Sequence, residues 1–205
     1  VGKKMSSFKS MLESPLKSNV EKEDAEEAVR TLIKWIGDDP EREGLIETPK
    51  RVIKSFQEHF VGYFQDPEEI LLKTFEQTEG YDDMVILKTI DFESHCEHHM
   101  LPIIGQASIA YFPNKRIVGI SKLARIVNLY AKRLQTQEVM TSQIINSIEK
   151  YLKPLGSAIL IEADHHCMKT RGVHKKDTSM STIQFRGCFE NDKSLQDRFL
   201  NMLKN

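Results

Sequence analysis

The sequence has little of what marks most specialised classes of protein. Only three of its 205 residues are cysteine, and they stand far apart at Cys96, Cys167 and Cys188. That excludes a dense disulfide framework and suits a reducing, cytoplasmic setting. No apolar run approaches the roughly 20 residues that a membrane-spanning helix needs. No apolar stretch follows Val1-Gly2-Lys3-Lys4, so nothing at the start reads as a secretory signal. The chain opens on valine rather than methionine, as expected of a processed or truncated chain, and a targeting segment cut away before it would leave no trace. Neither sign of charge dominates: 29 Lys and Arg stand against 30 Asp and Glu. Without a global basic field there is no pointer to nucleic acid or to an anionic membrane as a partner.

What remains is the composition of a chain that can bury an ordinary core, and its elements can be read from spacing. Residues 1–19 are rich in Ser and Lys and lack periodicity, the pattern of a flexible tail. From Glu21, the residues Ala25, Ala28, Val29, Leu32, Ile33 and Ile36 recur at helical spacing until Gly37 stops the run. Thr48-Pro49 reads as an N-cap with proline at the first helical position, and Val52, Ile53, Phe56 and Phe60 as the buried stripe of a second helix. A short helix follows Asp66-Pro67. Residues 20–80 thus form an N-terminal helical arm.

Residues 81–205 differ in character. Val85 to Ile90 and Gln106 to Phe112 are β-rich, and Pro113-Asn114-Lys115 reads as a hairpin turn into Arg116 to Ile120. Ser121 is a suitable N-cap for a helix carrying Leu123, Ile126, Val127, Tyr130 and Leu134. A second helix runs from about Gln137 to Leu152 with Val139, Ile144, Ile145 and Ile148 inward. Ala158 to Ala163 and Ser179 to Phe189 read as strands, and a helix near Ser194 to Leu203 ends the chain. Strand pairs in sequence favour an antiparallel sheet with helices on one face, an α+β class.

Five of the seven histidines and two of the three cysteines fall in two short stretches, His95-Cys96-Glu97-His98-His99 and Asp164-His165-His166-Cys167. Cys96-x-x-His99 has ligand spacing for a transition metal, and Cys167 can complete a set of three. Thiolate with imidazole suits zinc better than magnesium or calcium. Three protein ligands leave a fourth position for water, as in catalytic sites, and bound zinc lowers the pKa of a water to roughly 7. If the strand from Ile159 stays extended through Cys167, His165 and Cys167 share a face while His166 points away. His165 then stands beside the metal as an acid or base. His98 and His99 are adjacent and do not easily point the same way, so one ligates and the other is free for proton transfer. Any one of these residues alone would be a buried thiol or a surface histidine; imidazoles clustered around two thiols favour the metal. Cys188, alone in a strand, reads as core.

A second constellation is basic. Ser121-Lys122-Leu123-Ala124-Arg125 opens a helix with two cations in its first turn, where they oppose the helix dipole. A bound phosphate would supply a reason for them, with Lys169 and Arg171 following the second cluster; a solvated charged face is the plain alternative. Gln137-Glu138 opens the next helix with a carboxylate that could pair with purine N–H groups, although Glu is ordinary there.

Together these residues resemble GTP cyclohydrolase I of the zinc-dependent type. The similarity runs from about Glu21 to the C-terminus. It rests on Thr48-Pro49-Lys50-Arg51-Val52, Cys96-Glu97-His98-His99, Gly119-Ile120-Ser121-Lys122-Leu123-Ala124-Arg125, Gln135-Thr136-Gln137-Glu138 and His165-His166-Cys167-Met168-Lys169-Thr170-Arg171-Gly172, in that order. The resemblance implies a tunnelling fold, an antiparallel sheet with two helices per subunit, assembled into a ring-shaped homodecamer with active sites between subunits. It also implies conversion of GTP and water to 7,8-dihydroneopterin triphosphate and formate, at the head of folate or tetrahydrobiopterin biosynthesis.

Carried onto this sequence, Cys96, His99 and Cys167 would hold Zn2+, and His98 and His165 would move protons. Ser121 would assist at the ribose. Glu138 with Gln137 would recognise the guanine edge, rejecting adenine by leaving buried polar groups unpaired. Lys122, Arg125 and Arg171 would hold the triphosphate, joined by Arg51 from a neighbouring subunit. His166 stands where family members usually carry another residue, and Val173 to Thr178 is unusually basic. Two other readings compete. A zinc nucleoside deaminase would need its H-x-E motif paired with P-C-x-x-C, and no Cys-x-x-Cys occurs. A non-catalytic zinc-stabilised protein binding GTP or pterins would need the ligands but not His98 and His165.

Overall fold

The computed structural model describes residues 20–72, 74–75 and 80–204. The expected tail, residues 1–19, lies outside them. The chain divides after Phe64 into two units.

In the first unit α1 spans Lys22–Trp35 and α2 spans Thr48–His59. Glu23 and Asp24 in the first turn of α1 and Lys34 in its last both favour the helix dipole. Gly37, with φ 93°, takes the left-handed conformation that ends the helix. Thr48 proves to be the first helical residue, preceded by Glu47 as N-cap, with Pro49 in the first turn where its missing N–H costs nothing. The expected buried stripe of α2 is only partly covered: Val52, Ile53 and Phe60 are half-buried and Phe56 is exposed. On α1 and just after it, Leu32, Trp35 and Ile36 are 60%, 82% and 70% exposed. Two helices are too few to enclose two apolar faces.

The second unit opens with α3 (Pro67–Leu71), capped by the Asp66 side chain accepting from Glu68 N at 2.8 Å. A five-stranded sheet follows, in the order β5-β2-β3-β6-β7, from β2 (Val85–Cys96), β3 (Pro102–Phe112), β5 (Leu134–Gln135), β6 (Gly156–His165) and β7 (Met180–Gly187). All pairings are antiparallel except that of short β5 with β2. Two long helices, α4 (Ile120–Ala131) and α5 (Gln137–Leu152), pack on one face. There Ile109, Ile144 and Ile161 are 0% exposed, and each full burial of this kind contributes about 1.5–3 kcal/mol. The C-terminal helix α7 (Lys193–Leu203) lies on the opposite face, setting Phe199 against Met84, Ala110 and Phe189. This is the α+β arrangement of the tunnelling fold.

Three local expectations need correction. Arg116 to Ile120 does not fold back on β3. Only β4 (Ile117–Val118) is extended, and it pairs with β1 (Thr74–Phe75), because both edges of β3 are taken by β2 and β6. Ser121 is not a cap: Gly119 holds that position and no side chain caps α4. Val139 faces out at 48% exposure, because the buried stripe of α5 runs through Gln137, Met140, Thr141, Ile144 and Ile148. Thr136, whose hydroxyl accepts from Val139 N, sets that phase.

The antiparallel order determines where the chemistry gathers. β2 and β6 both run toward one end of the sheet and β3 runs away between them; His95 pairs with Pro102 and Ile103 with His165. Gly105 lets β3 and β6 close up, since a Cβ there would collide with the Glu162 carbonyl. The two Cys/His stretches therefore meet at one end although about seventy residues separate them.

Candidate metal centre and active site

Cys96 is the last residue of β2 and is buried. The turn after it is closed by Cys96 N donating to Leu101 O at 2.9 Å and Met100 N donating to Cys96 O at 2.8 Å. Met100 takes a left-handed conformation, φ 53°, costing of order 1–3 kcal/mol that the surrounding bonds must offset. Glu97 N also donates to Gln135 O at 3.0 Å, tying the turn to β5. The turn brings His98 Nδ1 and His99 Nδ1 to 3.7 and 3.9 Å from Cys96 Sγ.

Cys167 arrives by a different route from the one expected. β6 ends at His165, and His166–Lys169 forms a single helical turn, α6, so strand alternation does not reach Cys167. Thr170 closes that turn through its N–H and hydroxyl, both donating to His166 O at 2.9 and 2.7 Å. Lys169 turns back to Asp164 at 2.7 Å, a pairing that only the helical turn makes possible. The turn carries Cys167 back to Cys96. The ligand atoms of Cys96, His99 and Cys167 all lie within 4.8 Å of one another. His166 and His165 are outside that group, as is His98 despite its approach to Cys96.

The donor chemistry fits zinc: two sulfurs and one ring nitrogen, with no carboxylate of the kind a hard cation prefers. Burial, and after it the adjacent Cys96 sulfur, push the Cys167 thiol above its usual range. A cation between the sulfurs would reverse that. Arg171 Nη1 donates to His99 Nε2 at 2.8 Å, which links one proposed phosphate-binding residue directly to a candidate ligand.

β5 lies parallel to His95 and Cys96, so α5 starts at the same end of the sheet. Gln137, its first residue, is fully buried. Its Nε2 faces Ile161 O at 3.1 Å, Met180 O at 3.0 Å and Thr182 Oγ1 at 3.1 Å, and its Oε1 lies 2.9 Å from His165 Nε2. The side-chain amide is thus committed inside the protein, which does not suit the guanine contact expected of it. Glu138, the next residue, is exposed. Burial lowers the pKa of His165, with Glu138 and Asp164 opposing it.

Ser121, Lys122 and Arg125 lie elsewhere. Just before α4, Val118 N donates to the Tyr111 hydroxyl at 3.2 Å, and Tyr111 is far along β3 from Pro102. About 30 Å of strand separates that end from the metal centre. Arg51 sits exposed in the first turn of α2, in the other unit. Sequence reasoning missed Thr141, Thr182 and the Asp164–Lys169 pair, none of which has a spacing signal.

A largely antiparallel sheet backed by a helix pair, with two thiols and an imidazole converging at its end, defines a tunnelling-fold protein with a transition-metal type of ligand group. The family model of GTP cyclohydrolase I matches residues 25–204. Proteins named GTP cyclohydrolase 1 are similar to the chain over most of its length. That of Hyphomonas neptunium is 59% identical over 180 residues, 88% of this chain and 87% of its own. That of Maricaulis maris is 56% identical over 183 residues, 89% of each, and that of Brucella suis 55% identical, covering 89% and 86%. The chain belongs to the GTP cyclohydrolase I family and is an enzyme of that type.

Proposed function

We propose that the enzyme converts GTP and water into 7,8-dihydroneopterin triphosphate and formate at a zinc site held by Cys96, His99 and Cys167. The observation that carries this reading is the convergence of those three ligand atoms within 4.8 Å. When bound, zinc supplies a Lewis acid that activates water for addition at C8 of the purine. The rest falls to the chain. His98, exposed beside the ligands, and His165, half-buried with its pKa lowered by burial, move protons during hydration and ring opening. Glu138 accepts from the guanine N–H groups. Lys122, Arg125, Arg171 and Arg51 hold the triphosphate, and Ser121 assists at the ribose.

The same reading makes the working enzyme a ring-shaped homodecamer with sites between subunits. Two features support it: the distance between α4's first turn and the metal centre, and the apolar side chains left open on α1 and α2. Three free thiols suit a reducing cytoplasm. The product would feed folate or tetrahydrobiopterin biosynthesis. The test is formate and fluorescent pterin release by zinc-loaded protein, given GTP or ATP, with a chelated sample alongside. Release from GTP alone, abolished by chelation, is expected; zinc and GTP binding without formate would overturn the reading.

A further inference from the structure

We infer that Gln137 is a positioning residue that holds the His165 ring in one orientation and one tautomer, with the hydrogen on Nε2 directed at its side-chain oxygen and Nδ1 turned away from it. The inference rests on the proposal that His165 moves protons; its structural half stands independently of it.

The direction of every hydrogen bond around Gln137 can be worked out. The Thr141 hydroxyl donates to the main-chain carbonyl oxygen of Gln137 at 2.7 Å, which uses its only proton. Thr141 Oγ1 and Thr182 Oγ1 are 2.7 Å apart, so Thr182 must be the donor between them. Thr182 Oγ1 is then an acceptor toward Gln137. The other two partners of Nε2, the carbonyl oxygens of Ile161 and Met180, can only accept. Three acceptors around one end of the amide leave no choice about which end is nitrogen. The oxygen therefore faces His165, 2.9 Å away, and an oxygen without a proton requires a donor there. His165 Nε2 therefore carries a hydrogen directed at that oxygen, and Nδ1 is the other ring nitrogen.

Gln137 and Thr141 are both buried, at 0% and 2% exposure, so water cannot easily substitute for any partner in the chain. The anchors lie on β6 and β7, the rigid sheet rather than a loop, and the amide's two hydrogens are shared among three acceptors there. Such a group loses little freedom when the ring takes up or releases a proton at Nδ1. This explains a fully buried glutamine at the opening of the helix whose next residue, Glu138, is exposed.

The test uses the full chain loaded with zinc and labelled with 15N at histidine. His165 is identified by the signal lost in His165→Gln. The expected spectrum shows neutral His165 with a hydrogen on Nε2 that exchanges slowly with water. A hydrogen on Nδ1, or rapid averaging of the two forms, would overturn the inference whether or not the protein is active. Thr182→Val removes one of three amide partners and should leave the signal in place. Gln137→Leu should abolish slow exchange and lower kcat about 10- to 100-fold, the scale of lost orienting partners, with little change in KM for GTP. A large rise in KM at unchanged kcat would instead make Gln137 a substrate contact. A retained Nε2–H signal in an enzyme that releases no formate would leave the tautomer standing and remove the proton-transfer role.

Discussion

Arg171 Nη1 lies 2.8 Å from His99 Nε2, and the guanidinium has no acceptor, so the imidazole nitrogen accepts. The neutral ring then carries its proton on Nδ1, the nitrogen nearer Cys96 Sγ. A metal bound at Nδ1 would push the ring's proton to Nε2, against the arginine; a metal bound at Nε2 would displace the arginine outright. Either way Arg171 and the metal compete for His99. Arg171→Ala should therefore bind zinc more tightly, by about two- to fivefold, since an exposed contact is worth at most about 1 kcal/mol. Competition against a chromophoric chelator measures it. Weaker binding would mean that the guanidinium helps to hold the metal, through its small lowering effect on the Cys167 thiol.

Zinc uptake should depend steeply on pH. Burial and Cys96 raise the Cys167 pKa, so the free thiol is protonated at neutral pH and the metal must displace that proton. Affinity therefore rises with pH until the raised pKa is passed, by up to about tenfold per unit for each proton released. Isothermal titration in buffers of different ionisation heat counts those protons. Cys167→Ser should bind zinc at least about 10-fold more weakly and flatten the slope, because a serine hydroxyl does not ionise in this range. An unchanged slope would mean that Cys167 is not a ligand.

Local rules worked only in part: the helix start read at Asp66-Pro67 is there, with Asp66 capping it, whereas the caps read at Thr48 and Ser121 fall to Glu47 and Gly119. The metal set was legible because Cys96 and His99 belong to one turn and soft donors cluster for few other reasons. Cys167 lies with Cys96 and His99 as its donor chemistry suggested, although the strand expected to carry it there ends at His165. Gln137 was placed at the guanine edge by the family resemblance alone; its burial depends on Ile161, Met180 and Thr182, far away in sequence. The partner of β4 was likewise illegible, since it depends on which edges β3 has free.

His98 separates catalysis from metal holding. It lies 3.7 Å from Cys96 Sγ yet outside the three-ligand group, and its side chain is 64% exposed. His98→Ala should keep stoichiometric zinc and the fold while lowering kcat by about 10²- to 10⁴-fold, the usual range for a lost proton-transfer group. Zinc content by atomic emission and formate release are read on the same sample. Loss of zinc would make His98 a ligand in place of His99. Full turnover would assign its proton transfer to another group.

The separation between the metal centre and the first turn of α4 can be tested by mixing. In one chain, Lys122 and Arg125 follow shortly after Val118, whose N–H donates to Tyr111, whereas Cys167 lies at the Pro102 end of the same strand. A site shared between subunits could draw the two ends from two chains. Cys167→Ser and the double variant Lys122→Ala with Arg125→Ala should each be nearly inactive alone. Dissociated, mixed in equal amounts and reassembled, they should recover about a quarter of wild-type activity, the fraction of interfaces that receive an intact half from each chain in a symmetric assembly. Two variants that damage the same half, Cys96→Ser with Cys167→Ser, should recover nothing under the same treatment. If the first mixture also stays inactive while its oligomers form normally, the metal centre and the anion-binding residues act within one chain, and the site between subunits is ruled out.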